Sequence, residues 1–251
     1  RQNLNLFSLN QQTPMQQASA TQRIQFPIDI QVIMIDLDGT LLDTAPDLAL
    51  AANLMLNELG MPEQSTDTIR SYIGKGIQKL VKRTLTGQLD GEPDAELFAK
   101  ALPIYEKHYA KHLSDNTRPY PGVVEGIKSF QQAGFRLACI TNKAEAFTIP
   151  LLRATGLYDY FGIVLSGDSL PKRKPDPMPL THICKYFKVP THQALLIGDS
   201  LNDAIAARAA GCPVFCVPYG YNEGRDVHGL DCDAVVATLV DATKLIQSVT
   251  Q

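Results

Sequence analysis

No stretch of the chain approaches the roughly 18 consecutive apolar residues of a membrane-spanning helix. The N-terminal residues also lack the continuous apolar core of a secretory signal. A soluble, cytoplasmic protein without a membrane partner is therefore the expectation. Neither sign of charge dominates: 23 Lys and Arg face 26 Asp and Glu, for a net charge of -3. That balance gives no general attraction to nucleic acid or to an anionic membrane, so any phosphate group would have to be held by a few local donors. Cysteine is scarce. Cys139, Cys184, Cys212, Cys216 and Cys232 are odd in number and show no metal-binding spacing, while Cys139 and Cys216 fall inside apolar runs. Reduced, buried thiols are the expected state. His108 and His112 lie four apart on a presumed helix, but with no third ligand in view they read as a surface or packing pair.

What is present begins with size. The 251 residues, 45% of them hydrophobic, can bury a sizeable core and suit one domain carrying an inserted subdomain. Val32 to Ile35 is apolar throughout and ends abruptly in Asp36, Leu37, Asp38, Gly39 and Thr40. A strand apolar on both faces suits a parallel sheet covered by helices, and the carboxyl ends of such strands are where ligands bind. Gly39 would let the backbone turn sharply there. Two more apolar strands end in polar groups: Leu137 to Ile140 leads into Thr141 and Asn142, and Ala194 to Ile197 into Gly198, Asp199, Ser200, Leu201, Asn202 and Asp203. Between them Lys174 directly precedes Pro175 in a polar loop, with Lys172 and Arg173 as neighbours in the same basic run.

The order DxDGT, TN, KP and GDSxxD resembles the haloacid dehalogenase superfamily, and its phosphatases in particular. The likeness runs from residue 32 to about 245. It implies that the strand ending in Asp36 lies centrally, between the strands ending at Thr141 and Asp199. The expected fold is a doubly wound parallel α/β sheet, a Rossmann-like core, with an inserted α-helical cap. Residues 24–43 and 119–251 would form the core and 44–118 the cap. Within 44–118 the pattern predicts helices and no convincing strand. Thr44 and Asp47 have the spacing of a helix-capping pair with Pro46 in the first turn, Gly60 and Pro62 end that helix, and Arg118 to Pro121 would return to the core. From Gly122 strands and helices alternate, closing on a terminal helix from about Asp241 to Ser248. Residues 1 to about 23 begin at Arg1, are crowded with Gln, Asn, Ser and Thr, and are expected to be a disordered tail outside the fold.

The chemistry follows from a carboxylate's ability to attack phosphorus and split one difficult displacement into two easier ones. Asp36 is the expected nucleophile and Asp38 the general acid and base that protonates the leaving oxygen and then activates water. The resemblance implies Mg²⁺ held by the Asp36 side chain, the Asp38 backbone carbonyl and Asp199, with Asp203 orienting from behind. The Thr141 hydroxyl, the Asn142 amide and the Lys174 ammonium match the donors that a transferring phosphoryl group requires, beside the Gly39 backbone.

Substrate choice is expected from the cap, where Lys75 in the Gly74–Gly76 turn, or else Arg70, could meet the carboxylate of a small phosphorylated acid. The resemblance favours 2-phosphoglycolate, hydrolysed to glycolate and phosphate through an aspartyl-phosphate. Gly220 to Gly224 resemble the same group of phosphatases and are given a supporting role. The alternatives are a phosphatase of another small phosphate or pyrophosphate, a sugar-phosphate mutase, a haloacid dehalogenase, and a non-catalytic phosphate-responsive binding module. The expected partner is a small-molecule phosphate ester, with the protein a monomer or homodimer.

Overall fold

In the computed structural model, residues 24–249 are described; the expected tail at residues 1–23 lies outside them. A short strand β1 (Ile28–Ile30) leads into β2 (Val32–Ile35), which is wholly buried. β3 (Leu42–Asp43) precedes four helices, α1 (Ala45–Glu58), α2 (Thr66–Arg70), α3 (Ile77–Thr86) and α4 (Ala95–Lys111), and β4 (Arg118–Pro119) follows them. The chain then alternates through α5 (Val123–Gln132), β5 (Arg136–Ile140), α6 (Glu145–Ala154), β6 (Ile163–Leu165), α7 (Met178–Phe187), β7 (Ala194–Gly198), α8 (Leu201–Ala210), β8 (Val214–Cys216), β9 (Ala234–Val235), α9 (Leu239–Ala242) and β10 (Ile246–Ser248). Six strands form one parallel sheet in the order β6-β5-β2-β7-β8-β9. The strand carrying Asp36 thus lies between those leading to Thr141 and Asp199, and the α/β doubly wound fold is as expected.

Successive strand side chains point to opposite faces, and both faces are covered here. Ile33, Ile35, Leu137, Cys139, Leu195 and Ile197 pack with α5, α6 and α9 on one side. Val32, Met34, Ala138, Ile140, Leu196 and Val214 pack with α7 and α8 on the other. This explains the unbroken apolar runs. A third cluster, with Leu48, Met55, Ile69, Leu80 and Tyr105, is the interior of the α1–α4 helices and also takes in Tyr221 from beyond β8. β3 and β4 pair antiparallel, so a two-stranded neck joins these helices to the sheet. Among the described residues no helix is long and apolar enough to cross a membrane.

Two sequence expectations need correction. The terminal helix over Asp241–Ser248 is instead α9, a single 3₁₀ turn (Thr243–Leu245) and β10, which pairs in parallel with β1. Ile246 is buried while Gln247 and Ser248 are exposed, and the exposed pair gives a helix no apolar stripe. Thr44 and Asp47 do not cap α1. The Thr44 hydroxyl donates to Asp38 at 2.7 Å instead, and the Thr44 and Ala45 amides at the helix start donate to the Tyr221 hydroxyl, each at 2.9 Å. The fully buried Asp47 carboxylate accepts from the amides of Asn116 and Thr117, the Asn116 side chain and the Thr117 hydroxyl, all at 2.8 to 3.0 Å.

These bonds fasten the outgoing end of the helical unit to its first helix. Asp47→Ala would leave several buried donors without partners and should lower stability by about 3 kcal/mol, measured by urea unfolding. A loss within about 0.5 kcal/mol, the range of an ordinary surface change, would remove Asp47 from that role.

Candidate active site

β2, β5 and β7 run parallel with Ile35 opposite both Cys139 and Ile197, so the residues that follow these strands emerge together at one edge of the sheet. Asp36 comes from β2, Thr141 from β5 and Asp199 from the end of β7. Lys174, in the loop before α7, reaches them from the flank. Its side chain is buried, and the ammonium lies 3.1 Å from Asp36, 2.6 Å from Asp203 and 3.1 Å from the Ile140 carbonyl oxygen. In the same basic run Lys172 is exposed and pairs with Asp176, so Lys174 is the lysine brought to Asp36.

The acids are held by different partners. Asp36 accepts from the Leu37 amide at 2.7 Å. Asp203 is wholly buried; one oxygen meets Lys174 and the other accepts from the amides of Asp199 and Ser200 and from the Ser200 hydroxyl. Asp199 accepts from the Thr40 hydroxyl and the Tyr221 amide. Asp38 lies 3.2 Å from the Lys143 ammonium and accepts from Thr44. Two glycines make the approach possible. A Cβ on Gly39, whose φ is +85°, would stand 2.2 Å from an Asp199 carboxylate oxygen, and one on Gly220 would meet the Gly39 carbonyl oxygen at 2.2 Å.

Burial, reinforced by the neighbouring acids and only partly offset by Lys174, pushes the Asp36 carboxyl up to about 7. Burial, with Asp36 and Asp203 nearby, raises Asp199 as well. Burial alone would lower the Lys174 ammonium, but Asp203 and Asp36 outweigh it and hold the group above the ordinary lysine value. Each of Asp36, Asp199 and Asp203 offers a carboxylate oxygen within 4.8 Å of the others, and one lysine does not balance three acids. An all-oxygen donor set with surplus negative charge fits a hard divalent cation. The saturated hydrogen bonding of Asp203 suits a supporting position better than direct ligation.

One cavity is lined by Asp36, Asp38, Thr141, Asn142, Lys143 and Lys174 from the sheet side, and by Leu48, Ile73, Ile77 and Leu80 from the helices. Gly74 and Gly76 also line it, and the Gly74 carbonyl accepts from both Asn142 and Asn202, so this turn is pinned by its backbone. Lys75 and Arg70 are not among the lining residues. Lys75 is partly exposed and lies 3.8 Å from Glu223; Arg70 pairs with Asp67 at 3.0 Å. His108 and His112 each face a separate carboxylate, Glu58 and Asp115. The sequence motifs do not mark Lys143, although it directly follows Thr141 and Asn142, and they point to a helix cap for Thr44, which binds Asp38 instead. Nor do they mark the buried Arg83, which binds Glu223 at 2.9 Å and so ties α3 to the segment after β8.

A doubly wound parallel sheet with acids and one buried lysine gathered at its strand ends beneath inserted helices defines an α/β enzyme fold with its candidate site at the carboxyl ends of the strands. The chain belongs to the haloacid dehalogenase-like hydrolases, whose family model matches residues 33–217. Among curated relatives it is 68% identical over 224 residues to a phosphoglycolate phosphatase of Nitrosospira multiformis, covering 89% of this chain and 99% of that one. It is 62% identical to a phosphoglycolate phosphatase of Thiobacillus denitrificans, covering 88% and 97%. The crystal structure of a predicted phosphoglycolate phosphatase from Haemophilus somnus superposes with a TM-score of 0.81 at 33% identity, covering 86% and 97%.

The raised Asp36 carboxyl fixes the sign of a pH effect. Without a metal, the folded chain keeps the Asp36 proton up to about pH 7, whereas the unfolded chain loses it near 3.8. The folded state then binds more protons over this interval, so this contribution weakens stability as pH rises from about 4 to about 7. A cation that binds only the folded state should restore stability at the upper end. In EDTA the melting midpoint of the wild type should fall relative to that of Asp36→Asn over that range, and a millimolar divalent ion should raise the wild-type midpoint at neutral pH but that of Asp199→Asn far less. Equal responses of the two proteins to the ion would remove Asp199 from the cation site.

Proposed function

We propose that the chain is a Mg²⁺-dependent phosphoric monoester hydrolase that converts 2-phosphoglycolate to glycolate and phosphate through an aspartyl-phosphate on Asp36. The observation that carries this reading is the convergence of Asp36, Asp38 and Lys174 on one cavity. The names and near-complete coverage of the relatives support the choice of substrate.

An Asp36 oxygen attacks phosphorus as the bond from phosphorus to the ester oxygen breaks, and Asp38 delivers a proton to the departing oxygen. Asp38, now ionised, takes a proton from water as that water attacks the phosphoryl group and frees Asp36. The bonds of Asp38 to Thr44 and Lys143 hold its carboxylate in the cavity between the two steps. The Thr141 hydroxyl, the Asn142 and Gly39 backbone and the Lys174 ammonium surround the transferring oxygens. Lys174 is kept in place by Asp203. When bound, Mg²⁺ would offset repulsion between the Asp36 carboxylate and the phosphate dianion; Asp36, the Asp38 carbonyl and Asp199 would hold it, with Asp203 behind them. Residues 44–118 act as a cap, its apolar wall keeping bulk water from the reacting group.

Asp36→Asn should abolish turnover of 2-phosphoglycolate while the protein still melts cooperatively. Undiminished phosphate release from such a folded variant would sink the mechanism.

Asp38→Asn should lower kcat for 2-phosphoglycolate by a factor on the order of 10² to 10⁴, because an alkoxide leaves poorly without a proton. For p-nitrophenyl phosphate, whose phenolate leaves readily, the loss should be much smaller. Equal losses with the two esters would show that Asp38 is not the acid.

A further inference from the structure

We infer that Lys143, a core residue, reads the substrate's carboxylate and selects esters whose carboxylate is borne on the carbon next to the ester oxygen. The inference rests on the function proposed above and adds the residue that chooses the substrate. Only Lys143 and Lys174 carry positive charge among the described residues lining the cavity. The Lys174 ammonium lies against Asp36, Asp203 and the Ile140 carbonyl, at the phosphoryl end of the cavity, and forms no ion pair with Asp38. Lys143 is also buried, with a side chain only 3% exposed, but its ammonium hydrogen-bonds to the Tyr109 hydroxyl at 2.7 Å and lies 3.2 Å from Asp38. That leaves it donor capacity for a ligand.

The opposite wall, with Leu48, Ile73, Ile77 and Leu80, offers a carboxylate no donor from its side chains, and an anion buried there would lose its hydration without return. Lys75 faces Glu223 and lies off the cavity lining. Distance then narrows the class of substrate. Asp38 must reach the ester oxygen, and a cation 3.2 Å from Asp38 stands beside that oxygen, where a carboxylate on the adjoining carbon comes within its reach. An α-phosphorylated acid places its carboxylate there without spanning the cavity. Tyr109, on α4, sets the direction of the ammonium through its hydroxyl and through its ring, whose centroid is 4.7 Å away.

The test compares kcat/KM for 2-phosphoglycolate with that for 2-hydroxyethyl phosphate, which replaces the carboxylate by a neutral group. Losses caused by disturbing Asp38 affect both esters and cancel in the ratio. The wild type should prefer 2-phosphoglycolate, and Lys143→Met should reduce that preference by roughly 10- to 100-fold, mainly through KM for 2-phosphoglycolate. Lys143→Arg should keep part of it, and Lys75→Met nearly all. Tyr109→Phe, which leaves the lysine but removes its orienting hydroxyl, should lose part of the preference and provides the test if Lys143→Met fails to fold. Retention of the full preference in folded Lys143→Met, or in Tyr109→Phe and Lys143→Arg alike, would overturn the assignment while leaving the proposed function standing. A wild type that does not distinguish the two esters would overturn the proposed substrate and this assignment with it.

Discussion

A buried ammonium between one buried acid and one that opens on the cavity is the contact on which the other features depend. Lys174 meets Asp36 and Asp203 inside the sheet's edge, where each charge alone would be costly to keep from water. Because Asp203 also binds the amides that follow β7, the same contact fixes the turn carrying Asp199. The centre is therefore set from below by one lysine and one aspartate. The surplus of negative charge that remains favours a cation, and such a cation would in turn make a phosphate dianion an acceptable neighbour there.

Much of this organisation could be read from the residues. The unbroken apolar runs ending in acids located the strands and the edge at which they open, because parallel strands buried on both faces leave no alternation to confuse the reading. The same argument failed at the chain's end. Leu245 and Ile246 are too few apolar residues to distinguish a helix from a strand, and the decision there rests on pairing with β1, more than two hundred residues away. Thr44 and Asp47 failed for a related reason. A hydroxyl and a carboxylate at capping distance can serve their own helix, but here Thr44 turns back to Asp38 in the preceding loop and Asp47 binds Thr117, far along the chain. Such partners are invisible to spacing alone.

The choice of cap lysine shows where composition misleads. Lys75 between two glycines is conspicuous in the sequence, yet only the glycines line the cavity, their turn held by Asn142 and Asn202. Lys143 has no such marking. It sits in a β-strand-to-helix turn beside Thr141 and Asn142, and its place in the cavity lining appears only when α4 brings Tyr109 over it.

Tyr221 carries a consequence of a different kind. Its amide holds Asp199, while its hydroxyl donates to Asp43 in the neck and accepts from the first amides of α1. One residue thus ties the two-stranded neck to the acid centre, with its hydroxyl at one end and its backbone amide at the other. A swing of the helices about the neck would have to carry this ring with it or break its bonds, and in the first case the pull would be felt at the Asp199 carboxylate.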